Sequence, residues 1–123
     1  MLDHVGLRTK RLKEMTAFYE AVLAPLGASK QMDFGVAVGF GKPNEAPLWL
    51  GEAEGDATAS SVHLALTSPD RASVDAFYKA AMAAGGKDNG GPGPRPDYHE
   101  HYYAAFVIDL DGNNLEVVCH KPE

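Results

Sequence analysis

The chain repeats itself, and that constrains its fold more than any other feature. An offset of 59 positions, from residue 3 to residue 62, lays Asp3–Gly27 on Val62–Gly86 without a gap. His4 falls on His63, Leu7 on Leu66, Ala17-Phe18-Tyr19 on Ala76-Phe77-Tyr78, and Gly27 on Gly86. Two helices that merely share an amphipathic period would explain the paired aromatics but not the paired histidines. A duplicated unit this short must bury its apolar faces against its twin or a shared core. The 123 residues suit one domain built from both copies.

Each copy opens with a short strand. Val62, Leu64 and Leu66 alternate with His63, Ala65 and Thr67, so the two sets point to opposite faces. Val5 and Leu7 share one face in the first copy, and His4, Gly6 and Arg8 the other. Both histidines therefore lie opposite the aliphatic face. A helix follows in each copy. Met15, Phe18, Tyr19, Val22, Leu23 and Leu26 have the spacing of one buried helical stripe, repeated by Val74, Phe77, Tyr78, Ala81, Met82 and Gly85. Thr9 is the expected cap of the first helix. Ser68-Pro69-Asp70 starts the second with a capping hydroxyl, a proline at the first helical position and an acid near the positive end of the dipole. Pro25 with Gly27, and Gly85-Gly86, end the helices.

The rest of each copy reads as strands: Gly35–Phe40 and Pro47–Leu50, then Tyr102–Leu110 and Leu115–His120 around an Asp111-Gly112 turn, with weaker candidates at Ala28–Asp33 and Lys87–Asn89. The order is strand, helix and about three strands, twice, in modules of about 1–55 and 60–123. Glu54–Ser60, small and polar, is the linker.

Composition narrows the function classes. Seventeen acidic against eleven basic residues give a formal charge of −6 with no Lys/Arg run, a poor match to nucleic acid or an anionic membrane. Cys119 is the single cysteine, so no intrachain disulfide can form and a cytoplasmic setting is expected. No basic segment followed by an apolar run opens the sequence, and no stretch has the length of a membrane span, so neither signal peptide nor anchor is expected.

In this order and spacing, several motifs resemble the vicinal oxygen chelate superfamily, the group of glyoxalase I, bleomycin-resistance proteins and extradiol dioxygenases. They are Asp3-His4-Val5-Gly6-Leu7, Ala17-Phe18-Tyr19, Val62-His63-Leu64-Ala65 and the run Phe106 to Glu116 containing Asp109-Leu110-Asp111-Gly112-Asn113-Asn114. The resemblance spans essentially the whole chain. It implies an α+β fold of two βαβββ modules whose mixed sheet curls around a cavity, with the helices on the outer face. It also implies a homodimer and a small-molecule substrate.

Catalytic members of that superfamily hold one divalent metal (Fe, Mn, Zn or Ni) on the first and last strands of each module. Carried over, the ligand positions are His4, His63 and Glu116. Strand parity agrees for Glu116, which alternates with Leu115 and Val117 and shares a face with Val118 and His120. Two imidazoles and a carboxylate suit a borderline divalent ion and leave positions open for substrate oxygens. Alternatively Glu116 pairs with Arg8 or a lysine, and metal-free members use the same cavity only to bind. Where glyoxalase I has a second carboxylate this chain has Trp49, between Leu48 and Leu50, while Glu52 has the opposite parity. The remaining set resembles the three-ligand dioxygenase branch. Metal-dependent lyase, isomerase or dioxygenase chemistry, metal-free sequestration of an aromatic or drug-like ligand, and a regulatory or assembly domain with no pocket chemistry are the three readings, and the repeated histidines argue against the last.

A second polar constellation follows the loop Gly90–Pro96: Tyr98, His99, Glu100, His101, Tyr102 and Tyr103. Its phenols and imidazoles suit hydrogen bonding or general acid–base work, or else form an ordinary strand edge. His99 and Tyr103 are the catalytic candidates. Trp49, Arg8, Arg95, Tyr98 and His120 are the candidates for substrate contact, with Arg95 on a flap able to meet an anion. The proline-rich flap lacks phosphate-loop spacing. Cys119 is expected to be a buried apolar residue rather than a nucleophile.

Overall fold

The structure, a computed structural model, describes residues 1–123. Strand β1 (Val5–Thr9) leads into helix α1 (Leu12–Leu23), a short 3-10 turn (Ala24–Leu26), and strands β2 (Ser29–Asp33), β3 (Ala37–Gly41) and β4 (Leu48–Glu52). The second module repeats this with β5 (His63–Thr67), α2 (Arg71–Ala83), β6 (Lys87–Asp88), β7 (Gly93–Pro94), β8 (Tyr103–Ile108) and β9 (Asn114–Cys119). The fold is α+β with two mixed sheets. The first sheet has strand order β1-β4-β3-β2 and the second β5-β9-β8-β6, with β7 also on β8. In each, the opening strand pairs in parallel with the closing one, Gly6 opposite Trp49 and Ala65 opposite Glu116, and the other pairings are antiparallel. The short pair β7 was absent from the sequence expectation. Its Pro94 disfavours an interior strand, and it survives on an edge where few amide donors are needed.

The helices form where the apolar stripes predict them. Met15, Phe18, Tyr19, Val22 and Leu23 of α1 are buried, as are Val74, Phe77 and Ala81 of α2. The caps differ from expectation at both starts. The α1 cap position is Arg11, without a side-chain bond; Thr9 Oγ1 instead accepts the Arg11 amide at 3.0 Å. Helix α2 is capped by Asp70, whose carboxylate accepts from the Ser73 amide at 2.7 Å, while Ser68 donates to the Asp70 carbonyl. Asp70 has the extended backbone a cap requires and sits three residues before Ser73, so its carboxylate takes the role foreseen for Ser68. The two Ser73 donors hold the Asp70 carboxyl below its usual range.

One apolar core joins the modules. It contains the α1 stripe, Val74, Phe77 and Ala81 of α2, Leu7, Phe40, Leu48 and Leu50 from the first sheet, and Val107, Leu115, Val117 and Cys119 from the second; Met82 of the expected α2 stripe lies exposed. Cys119 is buried, as expected of a small apolar side chain. Helices α1 and α2 pack on each other, and no strand of one sheet bonds to the other. Each helix thus covers the face of its own sheet opposite His4 or His63. Both helices lie between the sheets, whose remaining faces point outward in different directions. A polar knot ties the modules together. Asp109 accepts from the amides of Asp111 and Asn113, from Asn113 Nδ2, and from the hydroxyl of Tyr19 on α1 at 2.7 Å. Burial, with the Asp109 charge next, raises the Tyr19 phenol well above its ordinary value. No helix is long and apolar enough to cross a membrane.

Candidate functional site: two half-sites on outward faces

On the second sheet, alternation along β9 turns Leu115, Val117 and Cys119 toward the helices and Glu116 away from them. Edge strand β5 brings His63 beside it through the parallel pairing. His63 Nε2 lies 2.8 Å from Glu116 Oε1, and the Tyr102 hydroxyl donates to Glu116 Oε2. The carboxylate is almost wholly enclosed, its side chain 3% exposed, whereas that of His63 is 54% exposed. A buried carboxylate needs donors on both oxygens, and these two supply them. An ionised carboxylate only accepts, so the His63 hydrogen in this pair lies on Nε2 and Nδ1 is the nitrogen with the free lone pair in the neutral ring. The imidazole is therefore the group presented outward and the carboxylate the group that orients it. Burial, reinforced by Glu116, pushes the Tyr102 phenol up to about 12.

Tyr102 sits in a nest of rings. Tyr98, His99 and His120 meet it edge-on at centroid distances of 5.0, 5.1 and 5.2 Å, and His99 stacks on His120 at 4.8 Å. Tyr98 and His120 thus lie beside the His63–Glu116 pair, joined through Tyr102. Ala104, Phe106 and Val118 form a small apolar patch on this face, with Tyr102 packed against it. The expectation that Arg95 awaits an anion is corrected. Its guanidinium donates to the carbonyls of Gly91 and Gly93 at 2.8 Å each and lies over the Phe106 ring, so its hydrogen bonds staple the flap.

Tyr103 is also corrected. Its hydroxyl donates to Asp75 on α2 at 2.6 Å and Arg71 covers its ring, which places it on the helix side. Alternation is the reason: Tyr103 shares parity with Ala105 and Val107, both in the core, while Tyr102 shares parity with Ala104 and Phe106 on the outward face. The register Phe106 opposite Glu116 continues that row, so parity carried back from Phe106 would have found Tyr102 in the sequence.

The first sheet carries the other half. Trp49 lies between Gly6 and Gly39 in register, and Leu48 and Leu50 face the core. A Cβ on Gly39 would come within 2.9 Å of the indole, so the glycine makes the bed on which the ring rests. Trp49 Nε1 donates to the Ala46 carbonyl at 2.8 Å, and Phe34 stacks nearly parallel on it at 5.9 Å. Asp3, His4, Gly6, Met32, Ala46 and Trp49 line a hollow of about 510 Å³. His4 Nδ1 is 2.6 Å from the Asp3 carboxylate. Arg8, farther along β1, is exposed and bonds through its backbone to Ser60. Glu52 lies with Thr16 and Glu20 of α1 on the helix side.

His4 does not join His63 and Glu116 within one chain, and no three His, Cys, Asp or Glu side chains gather at one point. The expected convergence of the three fails because α1 and α2 separate the two outward faces. His63 and Glu116 alone form a donor pair at a separation that two ligands of one ion can take.

Comparison with known proteins agrees with this architecture. The chain resembles a glyoxalase/bleomycin resistance protein from Albidiferax ferrireducens at 23% identity and TM-score 0.83, covering 95% of this chain and 97% of that one. It also resembles a glyoxalase/bleomycin resistance protein/dioxygenase family enzyme from Burkholderia phytofirmans at 19% identity and TM-score 0.71, covering 98% of both chains. A lactoylglutathione lyase from Agrobacterium tumefaciens matches at 20% identity and TM-score 0.68, over 97% of this chain and 92% of that one. These likenesses establish the fold. No curated protein matches the sequence. The family model of the glyoxalase/bleomycin resistance protein/dioxygenase superfamily matches residues 1–117. With that match over nearly the whole chain, the protein belongs to the glyoxalase/bleomycin resistance protein/dioxygenase superfamily.

Proposed function

We propose that the protein works as a homodimer that binds a small oxygen-bearing molecule in a cup closed between two copies, the second sheet of one facing the first sheet of the other. The observation that carries this reading is the packing of α1 on α2, which leaves the His63–Glu116 face and the His4–Trp49 face on different sides of one chain. Each face is half a site. The His4–Trp49 face also exposes Met32 and Phe34, apolar side chains that gain from being covered. Strands β1 and β5 are edges of their sheets.

In such a cup His63 and Glu116 of one copy, with His4 of the other, would hold a divalent metal; the donor set of two imidazoles and one carboxylate fits a borderline ion. The metal would supply Lewis acidity toward adjacent substrate oxygens. The chain's own residues do the rest. Before the metal binds, Glu116 holds His63 in place; Tyr102 satisfies the second oxygen of Glu116, and Trp49 with Phe34 offers a flat apolar floor that excludes water. With an indole where glyoxalase I has a carboxylate, the site lacks the group that would move a proton between neighbouring carbons.

Mixing tests this. His4→Ala and His63→Ala, each unable to complete a site alone, should regain up to one cobalt or zinc site per two chains when refolded together, because a mixed dimer has one intact cup. Absence of metal binding by the wild type, or of recovery on mixing, refutes the shared metal site. Light scattering that finds only the 13.1 kDa chain at micromolar concentration refutes the dimer. A second reading, sequestration of a planar ligand without metal, is favoured by the Phe34–Trp49 platform. Quenching of Trp49 fluorescence by a planar dye, unchanged by chelator, supports it.

A further inference from the structure

We infer that Tyr102 is the positioning residue of the site: its hydroxyl occupies Glu116 Oε2, so that Glu116 meets a bound ion through Oε1 alone. The inference rests on the metal reading above and goes beyond it, because Tyr102 is assigned by geometry within this chain.

The two oxygens of Glu116 are in different situations. Oε1 lies on the His63 side, where the imidazole is half exposed. Oε2 accepts from a phenol that is fixed by three rings, Tyr98, His99 and His120. A ligand that displaces the His63 contact finds Oε1, while Oε2 remains engaged. Carboxylates bind divalent ions through one oxygen or two. With Oε2 held, Glu116 takes one coordination position and leaves a further one for a substrate oxygen. A molecule that chelates through two adjacent oxygens needs that extra position. Groups that orient a ligand in this way commonly shift metal-site behaviour by about 10–100-fold when removed.

Tyr102→Phe keeps the ring and its packing and removes only the donor. Two measurements test the inference, and the first needs no metal. In the metal-free protein, the carbon-13 resonance of the Glu116 carboxyl at pH 7 should move on Tyr102→Phe, while circular dichroism and the amide spectrum of α1 and α2 stay unchanged. An unmoved carboxyl resonance overturns the inference. In the cobalt-loaded dimer, the variant should show weaker visible absorption, the sign of a higher coordination number. It should also bind acetohydroxamate, a two-oxygen chelator, about ten-fold more weakly. Identical spectra and hydroxamate affinity overturn the inference even where the carboxyl resonance moves. A wild type that takes up no cobalt defeats the metal reading and the one-oxygen ligation with it, whereas the carboxyl resonance separately decides whether Tyr102 positions Glu116.

Discussion

Asp109→Ala removes the acceptor at the centre of the knot between the modules. Asp109 is 4% exposed and Tyr19 and Asn113 are fully buried. The mutation leaves the Tyr19 hydroxyl and Asn113 Nδ2 without an acceptor, where they had bonds of 2.7 and 2.8 Å. A buried donor stripped of its partner costs about 1–3 kcal/mol. The Asn113 amide, also buried, and the part-buried Asp111 amide lose the same acceptor, so the two side chains set only the lower part of the cost. The two orphaned side chains alone predict a loss of about 2–6 kcal/mol. Tyr19→Phe alone removes one bond to a charged acceptor, about 1.5–3 kcal/mol, and leaves Asp109 with three donors. The two effects must not add. In the Asp109→Ala background the Tyr19 hydroxyl is already unpaired, so Tyr19→Phe should cost nothing there or restore stability. Urea unfolding of the four proteins at one fixed concentration gives the cycle, the fixed concentration being needed because a dimer's stability depends on it. Additivity within about 0.3–0.5 kcal/mol, the behaviour of independent sites, would falsify the shared knot.

Other outcomes follow from the same geometry. Gly39→Ala puts a methyl 2.9 Å from the indole and should displace Trp49, shifting its fluorescence and costing about 1–3 kcal/mol; an unchanged emission maximum refutes the bed. Alkaline stability should fall with rising pH. Tyr19, Tyr78, Tyr102 and Tyr103 all ionise above an ordinary phenol, Tyr102 at about 12. Their folded values exceed the unfolded value of about 10, so their contribution is complete below about pH 10 and is lost as the pH rises toward 12. Absorbance titration of native and urea-unfolded protein reads this, and coincident curves contradict it. Trp49→Glu should tighten divalent-metal binding by adding a carboxylate to the first face, and the wild type should turn over little or no glutathione–methylglyoxal adduct. Rapid wild-type turnover, or weaker metal binding by the variant, goes against that account of Trp49.

Much of the architecture could be read along the chain because local physics sets it. The duplication was visible as a gapless offset. The α1 stripe became a buried face, as did Val74, Phe77 and Ala81 of α2, whereas Met82 of the expected second stripe is exposed; the parity of β9 put Leu115 and Val117 in the core and Glu116 outside. Parity also put Trp49 on the face of His4 and Gly6, since side-chain direction in a strand follows from position alone. Where two local solutions compete, the reading failed: Ser68 and Asp70 both suit a helix start, and backbone geometry chose Asp70. Adjacent Tyr102 and Tyr103 are chemically alike, and one residue of register separates a partner of Glu116 from a partner of Asp75. The placement of His4 relative to His63 was not legible at all. The same strands and helices allow the modules to meet edge to edge or helix to helix, and each arrangement buries amphipathic faces. That choice is made by contacts remote in sequence, Tyr19 with Asp109 and α1 with α2. Because these form between modules rather than within them, residue patterning settles what each face carries, and the packing of the modules settles which faces can meet.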